Sequence, residues 1–308
     1  MPPECAKSSA GGTIEWNIAL PLPYRATEVL AFHGRDPAAV AESVRGQTLR
    51  KAFMYSGAPA CLELALGPGS ANCRLTLDTD QAVDSHRCQL IAQRLLGLHL
   101  DIDRFEALAR ADPTLAPLAR AQAGLRIPLA ATPFEALTWA ITGQQINLGV
   151  ALQLRRRLVL LAGRRHSRGL YCYPEPTALA ALTAQQLADA KFSRTKTQAL
   201  LTVSRMVCNG ELPLDQWLLP ATPVAIVSAR LLAIRGIGPW TVSYTLLRGY
   251  GWADGSLHGD AALRKALQRL LRQQERVTSV QAEDWLAVYA PWRSLVAAHL
   301  WASLSAPA

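Results

Sequence analysis

The chain has 308 residues, about two domains' worth at ~150 residues each, and half of them are apolar, which excludes wholesale disorder. Its net charge of +9 is unevenly placed: residues 1–111 hold 11 basic and 12 acidic groups, whereas residues 112–308 hold 21 and 11. The whole basic excess lies in the last two thirds and points to a polyanionic partner there, although a GC-rich genome favouring Arg would leave the same bias.

Along the chain, residues 1–12 are small and polar and read as a frayed tail. A strand is predicted over 13–20 and a short helix over 24–33, followed by strand-like runs at 48–56, 61–66 and 73–77, separated by the turn clusters GAPA and GPGSAN. A helix over 81–96 completes a small α+β unit in which no cluster of His, Cys or carboxylates stands out. Beyond residue 100 the strand signals vanish. Helical patterns follow at 102–110, 133–143, 150–161, 184–190, 195–208, 223–233, 240–248, 260–271, 282–289 and 293–304, punctuated by Gly and Pro.

Six cysteines at positions 5, 61, 73, 88, 172 and 208 form no CxxC pair, which excludes a zinc ribbon and a four-cysteine iron–sulfur cluster near the C-terminus. Scattered thiols in a chain of this size read as reduced. With no signal-peptide stretch at the N-terminus and no apolar run approaching about 18 residues, a cytoplasmic protein without a membrane span is expected.

The most informative segment is 231–249, LLAIRGIGPWTVSYTLLRG. An apolar helix end runs into Gly236-Ile237-Gly238 and directly into a second apolar helix. Two glycines around one aliphatic residue allow a tight turn, with backbone exposed at its tip and the aliphatic side chain anchored below. Amides around 236–240 would then face outward, an arrangement suited to one phosphate. From these residues alone an ordinary helical hairpin with a glycine cap reads equally well. Asp260, in SLHGDAALRKAL, opens another helix 22 residues after Gly238. Standing alone it is an N-cap, worth roughly 1 kcal/mol.

With GIG, W-T-x-x-Y and an Asp at this interval, residues 231–262 resemble the helix–hairpin–helix DNA glycosylases, and within them the DNA-3-methyladenine glycosylase II (AlkA-type) branch. Three further segments carry the resemblance. Residues 134–154 (FEALTWAITGQQINLGVALQL) are similar to the family's GQQ helix pair, and 187–212 to the helix–turn–helix stretch that follows it. Residues 289–301 (YAPWRSLVAAHLW) resemble its P-W-R-S…H-x-W terminal helix. The α+β unit fits the family's extra N-terminal domain, so the resemblance spans roughly 13–303.

The resemblance implies a mostly α protein: a two-part all-α helix–hairpin–helix glycosylase core preceded by a small α+β domain with an antiparallel sheet. The expected division is a disordered tail at 1–12, an α+β domain at 13–100 and an all-α region at 101–308. It implies that Asp260 is the catalytic carboxylate, stabilising an oxocarbenium-like sugar and orienting or deprotonating a water. Trp240, Tyr244 and Trp301 would line the base pocket, where a cationic base gains about 0.5–2 kcal/mol per aromatic contact. Gln145 would wedge into the duplex in place of the flipped nucleotide, and Gly236, Ile237, Gly238 and Thr241 would bind DNA beside it. Taken singly, each aromatic reads as core packing and Gln144-Gln145 as a polar corner. Bifunctional relatives place a Lys at the Trp240 position, and an indole cannot form a Schiff base, so hydrolysis without lyase activity is implied. Two departures bear on pocket shape: Ala261 stands where some relatives carry an aromatic, and His258-Gly259 where some carry a second acid.

The expected protein is thus a monofunctional glycosylase acting by base flipping on alkylated purines of the 3-methyladenine type. Its expected partner is double-stranded DNA containing alkylated bases, bound by a monomer with no cofactor, no metal and no membrane. Two alternatives stay open. A non-catalytic DNA-binding protein would have no use for Asp260 among three aromatics. A glycosylase for other damaged bases is disfavoured by the missing nucleophilic Lys and cluster cysteines. From the charge balance, duplex affinity of the full chain should fall steeply with salt, and DNA-induced protection from hydrogen exchange should concentrate in 112–308. Salt-insensitive binding, or protection confined to 1–111, would contradict this.

Overall fold

The computed structural model describes residues 7–9, 12–219 and 222–304. Apolar alternation in β2 (Thr13–Ala19) buries Ile14 and Ile18 and turns Glu15 and Asn17 to solvent. Helix α1 (Ala26–His33) precedes β3 (Glu42–Arg45), β4 (Thr48–Tyr55), β5 (Ala58–Gly67) and β6 (Ser70–Leu77). The sheet is antiparallel with order β1-β2-β6-β5-β4-β3, where β1 is Lys7–Ser9. That strand corrects the expected frayed tail at 1–12, because its backbone pairs with β2; residues 1–6, 10 and 11 of that tail lie outside the described residues. Strand β3, unanticipated because ESVR has no apolar alternation, is an edge strand held by pairing with β4.

Both faces of β4 and β5 are covered. On one side Leu49, Phe53, Leu62 and Leu64 pack with Leu30 of α1 and with Ile91 and Leu95 of α2 (Ser85–Leu95). On the other, Ala52 and Cys61 meet Leu170 and Cys172 from the helical region.

That region begins with α3 (Asp103–Ala111) and α4 (Ala116–Ala121), then α5 (Pro133–Gly143) and α6 (Leu148–Ala162). The short α7 (Pro176–Ala180) and α8 (Ala184–Asp189) lead into α9 (Arg194–Cys208), α10 (Val224–Leu232) and α11 (Pro239–Thr245). Helices α12 (Ala261–Leu270), α13 (Ser279–Ala287) and α14 (Arg293–Ser303) complete the chain. None of the helices among the described residues is long and apolar enough to cross a membrane.

These helices enclose two cores. Leu158, Leu200, Val203 and Leu231 centre one, and Phe105, Leu267, Leu286 and Leu295 the other. Helix α5 serves both: Leu137 and Ile141 enter the first, Trp139 and Ala140 the second, so it is apolar nearly all round. Helix α11 divides in the same way, with Val242 in the first core and Tyr244 in the second.

The sheet is tied to α5 and α6 by a buried charge cluster. Lys51 of β4 donates to Glu42 of β3 at 2.9 Å and to Glu135 of α5 at 2.8 Å. Arg155 of α6 donates to the same two carboxylates at 2.6 and 2.9 Å. Burial alone would raise both carboxyl pKa values, but Lys51 and Arg155 hold Glu42 well below the ordinary range and Glu135 below it. Because the folded values are depressed, this stabilisation is complete above the ordinary carboxyl value of 4.5 and is lost as pH falls below it. Removing one member leaves the rest buried and unbalanced, so Lys51→Met should lower stability at neutral pH by roughly 3–5 kcal/mol. Denaturant unfolding measures this, and a change below about 1 kcal/mol would reject the cluster as the domain tie.

Candidate active site

The predicted hairpin joins α10 to α11. Gly236 has φ +91°, in the left-handed region that L residues avoid, while Ile237 is buried beneath the turn. Gly238 is different: its φ is −107°, and a Cβ there would meet nothing within 4 Å. Neither backbone strain nor packing within the protein requires glycine at 238. The hairpin tip is therefore open to close approach from outside.

The GQQ corner between α5 and α6 is fastened to this hairpin. The Gln144 Nε2 donates to the Gly236 carbonyl and to the Thr241 hydroxyl, both at 2.8 Å. Lys196, on α9, donates through Nζ to the Thr142 carbonyl near the end of α5 at 2.6 Å, and burial pushes its ammonium pKa down. Gln145 follows with φ +55° and its side chain exposed, so the corner accepts an unfavourable backbone conformation at its tip. An open cleft of about 300 Å³ lies alongside, lined by Gln145, Ile146, Arg157 and Lys191 among others. Thr241, expected to contact DNA, is instead buried with its hydroxyl engaged by Gln144. Its place is inside the latch, and Gln144, more than a polar corner, is the other half.

On the far side of α11, Asp260 caps α12, with Oδ1 accepting from the Leu263 amide at 2.8 Å. The same oxygen accepts from the Trp301 indole at 3.1 Å, and Oδ2 accepts from the Trp240 indole at 3.1 Å. Three donors occupy most of the roughly four lone-pair sites of a carboxylate and hold it in one orientation, with about one site left over. Trp240 stacks on Tyr244 at 5.3 Å between ring centroids and 29° between planes, and Tyr244 lies 6.4 Å from Trp301. The three aromatics and Asp260 are thus brought together. Tyr244 is in turn fixed by Trp139, whose indole donates to its hydroxyl at 2.8 Å. His258 turns aside to Ser256 at 2.8 Å, and Ala261 is exposed. Trp139, Phe32, Arg35 and Arg248 flank the cluster and have no signature in the sequence, since they come from three widely separated segments with no shared spacing. Among the described residues no group of three or more His, Cys, Asp or Glu is placed to hold a metal ion.

A glycine-tipped hairpin between helices, set beside a carboxylate held by two indoles, defines the helix–hairpin–helix glycosylase class of architecture. A family model described as the AlkA N-terminal domain matches residues 17–132. The chain is 30% identical over 204 residues to DNA-3-methyladenine glycosylase of Bacillus subtilis, covering 65% of this chain and 67% of that protein. It is 29% identical over 314 residues to a probable bifunctional transcriptional activator/DNA repair enzyme AlkA of Mycobacterium tuberculosis. That match covers 99% of this chain but only 60% of the mycobacterial protein's length. In fold it is similar to a 3-methyladenine DNA glycosylase from Archaeoglobus fulgidus, with a TM-score of 0.80 at 18% identity, covering 93% of this chain and 97% of that one. The chain belongs to the AlkA-type family of helix–hairpin–helix DNA glycosylases.

The latch separates the two glutamines experimentally. Gln144→Leu leaves the Thr241 hydroxyl and the Gly236 carbonyl without their donor and should cost roughly 1–3 kcal/mol of stability. Gln145→Ala, exposed and outside the latch, should stay within about 0.5 kcal/mol. Thermal unfolding of the two variants checks this, and equal effects would dismiss the latch.

Proposed function

We propose that this family member hydrolyses the N-glycosidic bond of alkylated purines in duplex DNA, by base flipping and without strand cleavage. The observation that carries the reading is the Asp260 carboxylate, held by the indole N–H groups of Trp240 and Trp301 beside the Trp240–Tyr244 stack. A core-packing role for the aromatics would not account for two indoles donating to one half-buried carboxylate.

The open hairpin tip at Gly238 and the Trp240 amide beyond Pro239, which has no N–H of its own, suit a backbone phosphate. Gln145, exposed next to the Gln144 latch, fits the space left by an extruded nucleotide, with a polar end able to hydrogen-bond the orphaned partner base. Beside Asp260 the C1′–N bond breaks and its electron pair leaves with the base. An alkylated purine already carries positive charge and departs as a neutral molecule, so no strong general acid is needed. Positive charge builds on the sugar, where the oriented Asp260 carboxylate stabilises it. Water then adds to C1′, its proton passing to Asp260 or to solvent. Trp240 has no amine to attack C1′, which leaves hydrolysis as the outcome and an intact abasic site as the product.

Asp260→Asn keeps the contacts of Oδ1 but sets an amide N–H against the Trp240 indole N–H, and it removes the negative charge. Base release from methylated duplex DNA, resolved by chromatography, should fall by roughly a hundred- to thousandfold while the variant still folds and binds. Near wild-type release would reject Asp260. Borohydride treatment of the wild-type reaction should trap no covalent enzyme–DNA adduct, and a trapped adduct would reject the monofunctional reading.

A further inference from the structure

Beside the Asp260 cluster lie two guanidiniums with no carboxylate partner among the described residues. Arg248 sits in a π-helical turn, Leu246–Tyr250, that directly follows α11. Its guanidinium lies 4.3 Å from the Phe32 ring centroid and 5.9 Å from that of Trp301. Arg35, just past α1, lies 4.1 Å from the same Phe32 ring and 4.6 Å from Trp139. Trp139 holds the Tyr244 hydroxyl, so arginines and aromatics form one continuous wall.

The donors on this wall are incompletely used. Arg248 Nη1 donates to the Pro128 carbonyl at 2.7 Å, but its Nε is buried and has no partner. Arg35 has no hydrogen-bond partner among the described residues. Burial, with Arg35 nearby, pushes the Arg248 pKa down to about 10, which still leaves it charged at neutral pH. A cavity of about 20 Å³, with room for one oxygen-sized group, lies between Phe32, Arg35, Trp139, Tyr244 and Arg248 on one side and the ion cluster of His33, Glu42, Lys51, Glu135 and Arg155 on the other.

Resting on the glycosylase reading above, we infer that Arg248 and Arg35 read the six-position of the extruded purine, so that the pocket selects 6-oxopurines over 6-aminopurines. A guanidinium has donors and no acceptor. A 6-oxo group, as in alkylated guanine or hypoxanthine, supplies the acceptor that the buried Nε lacks. A 6-amino group, as in 3-methyladenine, turns N–H toward N–H. The π faces expected to attract a cationic base are also partly taken: Arg248 already lies over Trp301. Arg35 belongs to the segment between α1 and β3, so the α+β domain contributes directly to base selection.

Duplex DNA treated with dimethyl sulfate tests this, because it carries 7-methylguanine and 3-methyladenine together. Both are cationic in DNA and they differ at the six-position. Dividing each release rate by its enzyme-free rate removes their unequal intrinsic lability. The wild-type enhancement should be larger for 7-methylguanine, and Arg35→Gln and Arg248→Gln should each lower the ratio of the two enhancements by about tenfold. Should Arg248→Gln show no thermal transition, Arg35→Gln decides, since its half-exposed side chain makes no hydrogen bond that folding needs. An equal or larger wild-type enhancement for 3-methyladenine overturns the inference and leaves the glycosylase reading standing. So does an unmoved ratio in the folded variants. Release of neither base overturns both.

Discussion

Four buried charges decide how this molecule is put together. Glu42 and Lys51 face each other across β3 and β4, and Glu135 and Arg155 come from α5 and α6. Two carboxylates face two cations, and each cation reaches both carboxylates. Such a set is worth little against an apolar alternative of the same shape, but it is unforgiving of misplacement, because any slip leaves a charge buried alone. The sheet therefore has one register against the helices. His33 extends the set at the end of α1, meeting Glu42 through one ring nitrogen and the Leu95 carbonyl through the other. That fixes where α1 ends, and with it Phe32 and Arg35 beside the aromatic cluster.

The same helix that receives the charges carries the site. Along α5, Glu135 lies in the ion cluster, Trp139 holds Tyr244, and Gln144 just past its end latches the hairpin. One rigid, fully buried helix thus relates the sheet, the aromatic cluster and the hairpin tip. The connection at 127–131 is clamped from both sides: Arg94 of α2 donates to the Ala130 and Gly249 carbonyls at 3.0 and 2.6 Å, and the Ala130 amide donates to the Arg248 carbonyl at 2.9 Å. This clamp sets the π-helical turn and hence the direction of Arg248. Widened turns of this kind recur at functional sites, where an extra residue re-aims a side chain.

Asp260 shows why a structural role and the catalytic role proposed for one residue need not compete. It is the N-cap that its position at a helix start implies, and the same oxygen that accepts the Leu263 amide also accepts the Trp301 indole. The cap bond removes the side chain's rotational freedom, and the indoles then orient the carboxylate. A preoriented charge needs little reorganisation when positive charge develops beside it. The aromatics accordingly do two things, packing beside the carboxylate and holding it.

Much of this was legible in the sequence, and the physical reason is locality. Strand-like runs bounded by turn clusters marked β2, β4, β5 and β6, while Gly, Pro and capping residues marked most helix limits to within a few positions. The exceptions, β1, β3, α4 and α7, are short or edge elements that gain stability from neighbours rather than from their own pattern. Gly236-Ile237-Gly238, Asp260, Trp240, Tyr244 and Trp301 were readable because their spacing is local or their motif familiar. Tertiary structure alone decided the rest. Thr241 turned inward because Gln144, 97 residues earlier in the chain, supplies its hydrogen bond. Arg35 and Arg248, 213 residues apart, share one ring because the ion cluster docks the sheet there. A sequence records which residues can cap, turn or stack nearby; which distant groups meet depends on burial and charge balance across the whole fold, and no local spacing encodes that.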